Sequence, residues 1–258
     1  MSVERESDAD DTFEAPPPDP MDTPLAPRLP VPPPLPPPVP PRLVVVRNTP
    51  RDTWGWLWKD TLQRILPLTA AALLYRRFFT EDRRLGYACD HLGHELLLGA
   101  VVGIPLAAIT AAFRRWLTTG YRLPTRADQA LQTTYYLAIN APAEELFWRG
   151  TVQHLAARLL RRVPVLRQVA IPLGWAVATA GYGAYHRLGG WSWRSIAGVT
   201  FAGMIFGALF ASRPRERAMV AVTLAHGLTT AAFLSWGDVV LHQLALRRHQ
   251  RQQRAPGG

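Results

Sequence analysis

Two adjacent carboxylates, Glu144 and Glu145, interrupt an otherwise apolar stretch of the chain between residues 135 and 150. A charged side chain at the centre of a lone membrane helix costs about 2.5–3.5 kcal/mol on insertion scales, so it is usually retained for a function. On a helix, Glu145 and Arg149 are four residues apart and share a face, which predicts an ion pair. Glu144 points about 100° away and is expected to be a carboxylate without such a partner.

Glu144 is therefore the candidate general base, one helical turn after Asn140, with Glu145 and Arg149 as a supporting pair. A second interpretation is that both acids mark the end of a membrane span. In that case the helix leaves the bilayer at Gly150, and Arg149 extends its guanidinium to the lipid headgroups.

Two histidines lie in other apolar segments. His186 ends the segment 169–186, with Tyr182 one turn earlier, and His226 lies inside the segment 219–236, with Thr230 one turn later. Taken alone, His186 is typical of an interfacial residue, whereas an ionisable group in mid-span indicates a function. Ionisable groups on three different helices together predict a shared site.

The elements that must position these groups are apolar helices. Residues 95–113 carry one charge, at their edge, and are long enough to cross a bilayer. Further candidate spans cover residues 131–148, 169–186, 196–211 and 219–236. Residues 54–79 form either a marginal first span or an interfacial helix. We expect an all-α fold, a polytopic transmembrane bundle of about six helices.

A stripe of glycines runs along the segment 196–211. Gly198, Gly203 and Gly207 include a small-xxx-small spacing that lets helices approach closely. We expect this helix to bring the polar groups of its neighbours within reach of each other.

Composition divides the chain into unlike parts. The whole chain has a formal charge of +10 and a mean hydropathy of −0.02, but 28 basic and only 11 acidic residues lie after residue 22. We predict a disordered acidic and proline-rich tail (1–50), interfacial and transmembrane helices (51–128), a catalytic transmembrane core (129–238) and a basic tail (239–258). One cysteine excludes a disulfide scaffold and a cysteine-rich metal site.

The ordered motifs resemble the CPBP (Abi) family of intramembrane proteases, named for CAAX prenyl-protein and bacteriocin processing. The resemblance covers residues 129–236. The family motif Glu-Glu-x-x-x-Arg is matched by Glu144, Glu145 and Arg149. Phe-x-x-x-His is met by Tyr182 and His186, with tyrosine replacing phenylalanine, and His-x-x-x-Asn/Asp is met by His226, with Thr230 replacing the amide or acid.

The resemblance implies hydrolysis of a peptide bond in a membrane-anchored protein or peptide. Glu144 with His186 would activate a water molecule, and His226 with the residue at position 230 would stabilise the oxyanion. This mechanism needs no cofactor and is preferred here. A zinc protease that uses Glu144, Glu145, His186 and His226 as ligands stays open, although the chain has no His-Glu-x-x-His motif.

The alternative function is that of a catalytically impaired family member, which binds a membrane peptide or confers bacteriocin immunity. Thr230 is the departure that motivates it, because a threonine hydroxyl is shorter than an asparagine amide.

The expected partners are membrane lipids and a membrane-anchored substrate. Nucleic acid is not expected, because the basic residues are spread over both membrane faces. We expect an integral membrane protein of the bacterial inner membrane.

Overall fold

The computed structural model describes residues 45–46, 50–79, 86–88, 90–117, 121–213 and 218–254 and confirms an all-α fold. The described helices form six continuous rods. The first rod consists of α1 (Pro50–Asp60) and α2 (Leu66–Phe79), the second of α3 (Leu92–Leu117), and the third of α4 (Arg126–Tyr135), α5 (Ala141–Phe147) and α6 (His154–Leu160). The remaining three are α7 (Ala170–Leu188), α8 (Trp193–Ala211), and α9 (Ala218–Ala231) with α10 (Gly237–Arg254). Two-residue strands, β1 (Val45–Val46) and β2 (Tyr121–Arg122), pair in parallel.

Short π-helical turns join the helices within three of these rods. They cover Thr61–Ile65, Tyr136–Asn140, Trp148–Gln153 and Ala232–Trp236. Pro67 and Pro142 explain the first two turns, because a proline nitrogen cannot donate a hydrogen bond to the carbonyl four residues earlier. For Pro142 that carbonyl belongs to Ala138, inside the π turn that precedes α5. The turns on both sides of α5 therefore change the direction of the side chains around Glu144, as π turns often do at functional sites.

Three of the described helical stretches are long and apolar enough to cross a membrane: Leu92–Leu117, Trp193–Ala211 and Ala218–Arg248. They contain the predicted spans 95–113, 196–211 and 219–236. The predicted spans 131–148 and 169–186 are helical but are not among these three. The protein is an integral membrane protein.

The tightest packing joins α3 to α9. A Cβ on Gly99 would lie 2.7 Å from the carbonyl oxygen of Ala221, so only glycine allows this approach. Ala221, Val222 and Ala225 have no exposed surface, and Leu106 of α3 packs among them. Helix α9 therefore lies at the centre of the bundle, and its polar side chains are buried with it.

The predicted divisions of the chain correspond only in part to the helical rods. Residues 41–258 form one compact unit, while most of the predicted tail, residues 1–44 and 47–49, lies outside the described residues. The predicted basic tail, residues 239–258, is helical as far as Arg254, and the sixth rod continues through the predicted boundary at residue 238.

Candidate active site

Glu145 contacts two cationic or ionisable partners at the centre of the bundle. Its Oε2 lies 3.3 Å from Nε of Arg149, which confirms the predicted ion pair. Its Oε1 accepts a hydrogen bond from Nδ1 of His226, 2.7 Å away. The side chains of Glu145 and Arg149 are wholly buried. The carboxylate thus connects the third rod to α9.

Arg149 contacts α8 at Gly203, where the absence of a side chain leaves space for it. Nη2 of Arg149 donates to the carbonyl of Gly203 at 2.9 Å, and the guanidinium lies 4.8 Å from the ring centre of Tyr182. A Cβ on Gly203 would lie 2.7 Å from Cδ1 of Tyr182. The Gly207 carbonyl similarly accepts from Gln153 at 3.1 Å. The glycine stripe therefore admits polar groups from neighbouring helices, as predicted.

The expectation that Glu144 lacks an ionic partner is wrong. Its Oε1 forms an ion pair with the guanidinium of Arg64 and also accepts a hydrogen bond from Nδ2 of Asn140 at 3.2 Å. Asn140 is the predicted neighbour one turn away, but Arg64 is 80 positions distant and comes from the π turn that follows α1. The pairing depends on how the first and third rods pack, which helical periodicity within the third rod does not reveal.

Arg64 belongs to a polar cluster that the sequence interpretation missed. Its Nε and Nη2 donate to the two carboxylate oxygens of Asp60, at 2.7 Å and 2.6 Å, and the hydroxyl of Tyr135 donates to the same carboxylate. The signal was present in the i,i+4 spacing of Asp60 and Arg64 within an apolar helix. The predicted division at residues 128 and 129 therefore separates residues that meet in one site.

His226 lies between the two adjacent carboxylates. Its Nδ1 faces Glu145, and its Nε2 lies 3.7 Å from Oε2 of Glu144 and 3.3 Å from the hydroxyl of Tyr182. The ring stacks on Phe206, with centroids 4.8 Å apart and planes 18° from parallel. Because the carboxylate of Glu145 only accepts hydrogen bonds, Nδ1 carries a hydrogen. The other ring nitrogen, Nε2, faces Glu144.

His186 is oriented by the backbone of its own helix. Its Nδ1 donates to the carbonyl of Tyr182 at 2.8 Å, which assigns the hydrogen to Nδ1 in the neutral ring and leaves the lone pair on Nε2. The ring is half-buried between the side chains of Tyr182 and Trp191, 4.7 Å and 4.8 Å away. Tyr182 thus contacts both histidines, one through its carbonyl and one through its hydroxyl.

The polar groups open onto one cavity of about 420 Å³. Its lining includes the proposed site residues Asn140, Glu144, Tyr182, His186, His226 and Thr230, together with Asp60 and Arg64. A carboxylate and two imidazoles around one space can accept, hold and return a proton. Thr229 also lines the cavity, but its hydroxyl donates to the carbonyl of Ala225 at 2.7 Å. Threonine hydroxyls in helices often bond the carbonyl one turn back, and here that bond forms at Thr229, the neighbour of Thr230.

All four proposed zinc ligands contact partners within the protein. Within the part of the chain that the structure describes, no three His, Cys, Asp or Glu side chains are placed to hold a metal ion. Both nitrogens of His226 face carboxylates, Nδ1 of His186 is bonded to a carbonyl, and Glu144 faces Arg64.

Comparison with known proteins agrees with the motifs. Residues 126–232 match the family described as type II CAAX prenyl endopeptidase Rce1-like. The matched range begins at α4 and ends just after α9, so it contains both glutamates and both histidines but excludes Arg64. No curated protein and no solved structure matches the chain.

Proposed function

We propose that this chain, whose residues 126–232 belong to the Rce1-like family of CAAX-type proteases, is an intramembrane endopeptidase that hydrolyses a peptide bond of a membrane-anchored protein or peptide. The observation that carries the proposal is the single cavity lined by Glu144, His186 and His226. The family makes a lipidated carboxyl-terminal peptide the first substrate to test.

In the proposed reaction, Glu144 accepts a proton from a water molecule as the water oxygen attacks the scissile carbonyl carbon. Nε2 of His186, whose lone pair is left unused by the bond to Tyr182, accepts a hydrogen bond from the same water. The carbon–nitrogen bond then breaks, and Glu144 returns the proton to the leaving amine. No step requires a metal ion.

The negative charge that develops on the carbonyl oxygen needs donors. We assign this role to Nε2 of His226 in its protonated state and to the hydroxyl of Thr230, which also lines the cavity. The Tyr182 hydroxyl, 3.3 Å from Nε2 of His226, keeps the ring in place. Glu145 supports the same ring from its other nitrogen and is a positioning residue.

The test is cleavage of a farnesylated CAAX peptide by the purified full chain in liposomes, followed by mass spectrometry of the products. Glu144→Gln removes the base while keeping the shape of the side chain, so we expect a loss of rate of about 10²-fold or more. Asp90→Asn is the matched acid-to-amide control, because Asp90 is exposed and lies outside the cavity. Equal cleavage by Glu144→Gln and the unsubstituted protein would refute the assignment.

A second candidate function is binding of a membrane peptide without cleavage, as in an immunity protein. Two observations favour it: Thr230 stands where the family motif has an amide or acid, and Arg64 is paired with Glu144. Under this candidate, Glu144→Gln retains the biological activity of the protein in cells. The endopeptidase proposal predicts that the same variant loses it.

A further inference from the structure

A second cavity, here named the arginine groove, lies away from the candidate active site. Its volume is about 1060 Å³, and it shares no lining residue with the cavity of Glu144. It lies at the end of the bundle where α2, α6 and α8 end. Its basic lining residues are Arg76, His154, Arg158, Arg161, Arg162 and Arg213, and none of the described residues that line it is acidic.

Much of this positive charge is not neutralised within the described part of the chain. Arg213 is paired with the buried carboxylate of Glu95. In contrast, Arg158 donates to the backbone carbonyl of Phe79, which is a neutral group. Arg161 and Arg162 are exposed, and no carboxylate among the described residues contacts either of them. The described lining of the groove therefore has a net positive charge.

Apolar side chains line the same groove beside the arginines. Phe78 and Phe79, at the end of α2, are 68% and 61% exposed, and Ile171, at the start of α7, is 47% exposed. A free inorganic anion would make no favourable contact with these apolar side chains. A ligand that combines a negative headgroup with hydrocarbon matches both parts of the lining.

Simpler roles explain single arginines but not the whole groove. An arginine in the last turn of a helix, such as Arg76 in α2 or Arg158 in α6, stabilises the helix dipole. Arg161 and Arg162 lie beyond the end of α6, yet they line the same concavity. Basic pockets between transmembrane helices are typical sites for anionic lipid headgroups.

We propose that the arginine groove binds one anionic phospholipid. Its headgroup phosphate contacts Arg158, Arg161 and Arg162, and its acyl chain lies against Phe78 and Phe79. The site is independent of the peptidase proposal, because the two cavities have no described lining residue in common.

The experiment measures lipid binding to the purified full chain in detergent by native mass spectrometry, with phosphatidylglycerol and phosphatidylcholine as probes. The test variant is Arg161→Gln with Arg162→Gln. Each basic residue near an anionic headgroup contributes about fivefold to affinity, so the pair is expected to weaken phosphatidylglycerol binding about 25-fold. Phosphatidylcholine binding is expected to stay weak in both proteins.

Two further variants keep the outcome unambiguous. Arg187→Gln with Arg194→Gln removes the same charge at the opposite end of the bundle, where both arginines stack on tryptophans, and should leave binding unchanged. Arg161→Lys with Arg162→Lys keeps the charge and should retain most of the affinity, whether or not the glutamine pair folds. Equal losses in both glutamine pairs, no preference for phosphatidylglycerol, or equally tight binding of inorganic phosphate would each overturn the proposal.

Discussion

Nδ1 of His226 lies 2.7 Å from Oε1 of Glu145, although 81 positions separate the two residues. Glu145 also pairs with Arg149, four residues later on its own rod. One carboxylate therefore neutralises a buried arginine and orients a buried imidazole, so that the second nitrogen of His226 faces Glu144. In the proposed reaction this places the base and an oxyanion donor side by side.

The first prediction concerns the buried pair of Glu145 and Arg149. Arg149→Met leaves a buried carboxylate without its main counter-charge, and we expect a loss of about 3–5 kcal/mol of unfolding free energy. Adding Glu145→Gln should recover part of that loss, because the remaining charge is removed too. Unfolding in detergent and SDS mixtures measures the change, with the exposed Arg187→Met as the control. A double variant as unstable as the sum of both single variants would contradict the coupling.

The second prediction concerns Arg64 as a positioning residue for Glu144. Arg64→Met should lower kcat by about 10²-fold, the scale of effect of misplacing a catalytic group, with little change in KM. Arg64→Lys should recover only part of the rate, because an ammonium cannot contact Asp60 and Glu144 as a fork. Arg77→Met, on the same rod but exposed, is the control. A rise in kcat for Arg64→Met would instead identify the contact as inhibitory.

The third prediction concerns the donor at position 230. Thr230→Val removes the hydroxyl at nearly constant shape and should reduce kcat by about 10²-fold, the lower end of the cost of one oxyanion donor. Thr230→Asn, which restores the family motif, should raise it. Thr229→Val is the matched control, because the Thr229 hydroxyl is already bonded to the Ala225 carbonyl. If Thr229→Val and Thr230→Val reduce kcat equally, the hydroxyl of Thr230 has no special role.

The fourth prediction concerns the close approach at Gly203. Gly203→Ala places a Cβ 2.7 Å from Cδ1 of Tyr182 and 3.3 Å from Nη2 of Arg149, so a side chain or α8 must shift. We expect a loss of about 1–3 kcal/mol of unfolding free energy, typical of overpacking, together with reduced cleavage. Gly93→Ala, which has open space around it, should stay within about 1 kcal/mol of the unsubstituted protein. The same detergent unfolding assay compares the two variants, and equal stabilities would contradict the prediction.

The local sequence pattern was sufficient to predict the helices and the contacts between residues of one helix. The apolar run after Glu95 predicted the span that α3 provides, and the i,i+4 spacing of Glu145 and Arg149 predicted their ion pair. The same spacing placed Asn140 beside Glu144. These relations follow from helical periodicity, which places residues four positions apart on one face of a helix.

Helical periodicity did not predict which residues of different rods contact each other. The ordered motifs predicted a shared site for Glu144, His186 and His226, and the three line one cavity. The motifs did not predict the contact of His226 with Glu145 or that of Arg64 with Glu144. Arg64 lies in a segment outside the matched family range, so neither motif nor resemblance pointed to it.

The sequence by itself therefore predicted an all-α membrane bundle, a resemblance to a family of intramembrane proteases and the candidate residues for the proposed chemistry, because composition, motifs and helical periodicity are local properties. Tertiary structure alone decided which partner each of these residues contacts. The rotation of each rod depends on packing at sites such as Gly203, and on the π turns that change the helical register around Glu144. Those rotations join Arg64 to Glu144 and His226 to Glu145, over separations of 80 and 81 positions.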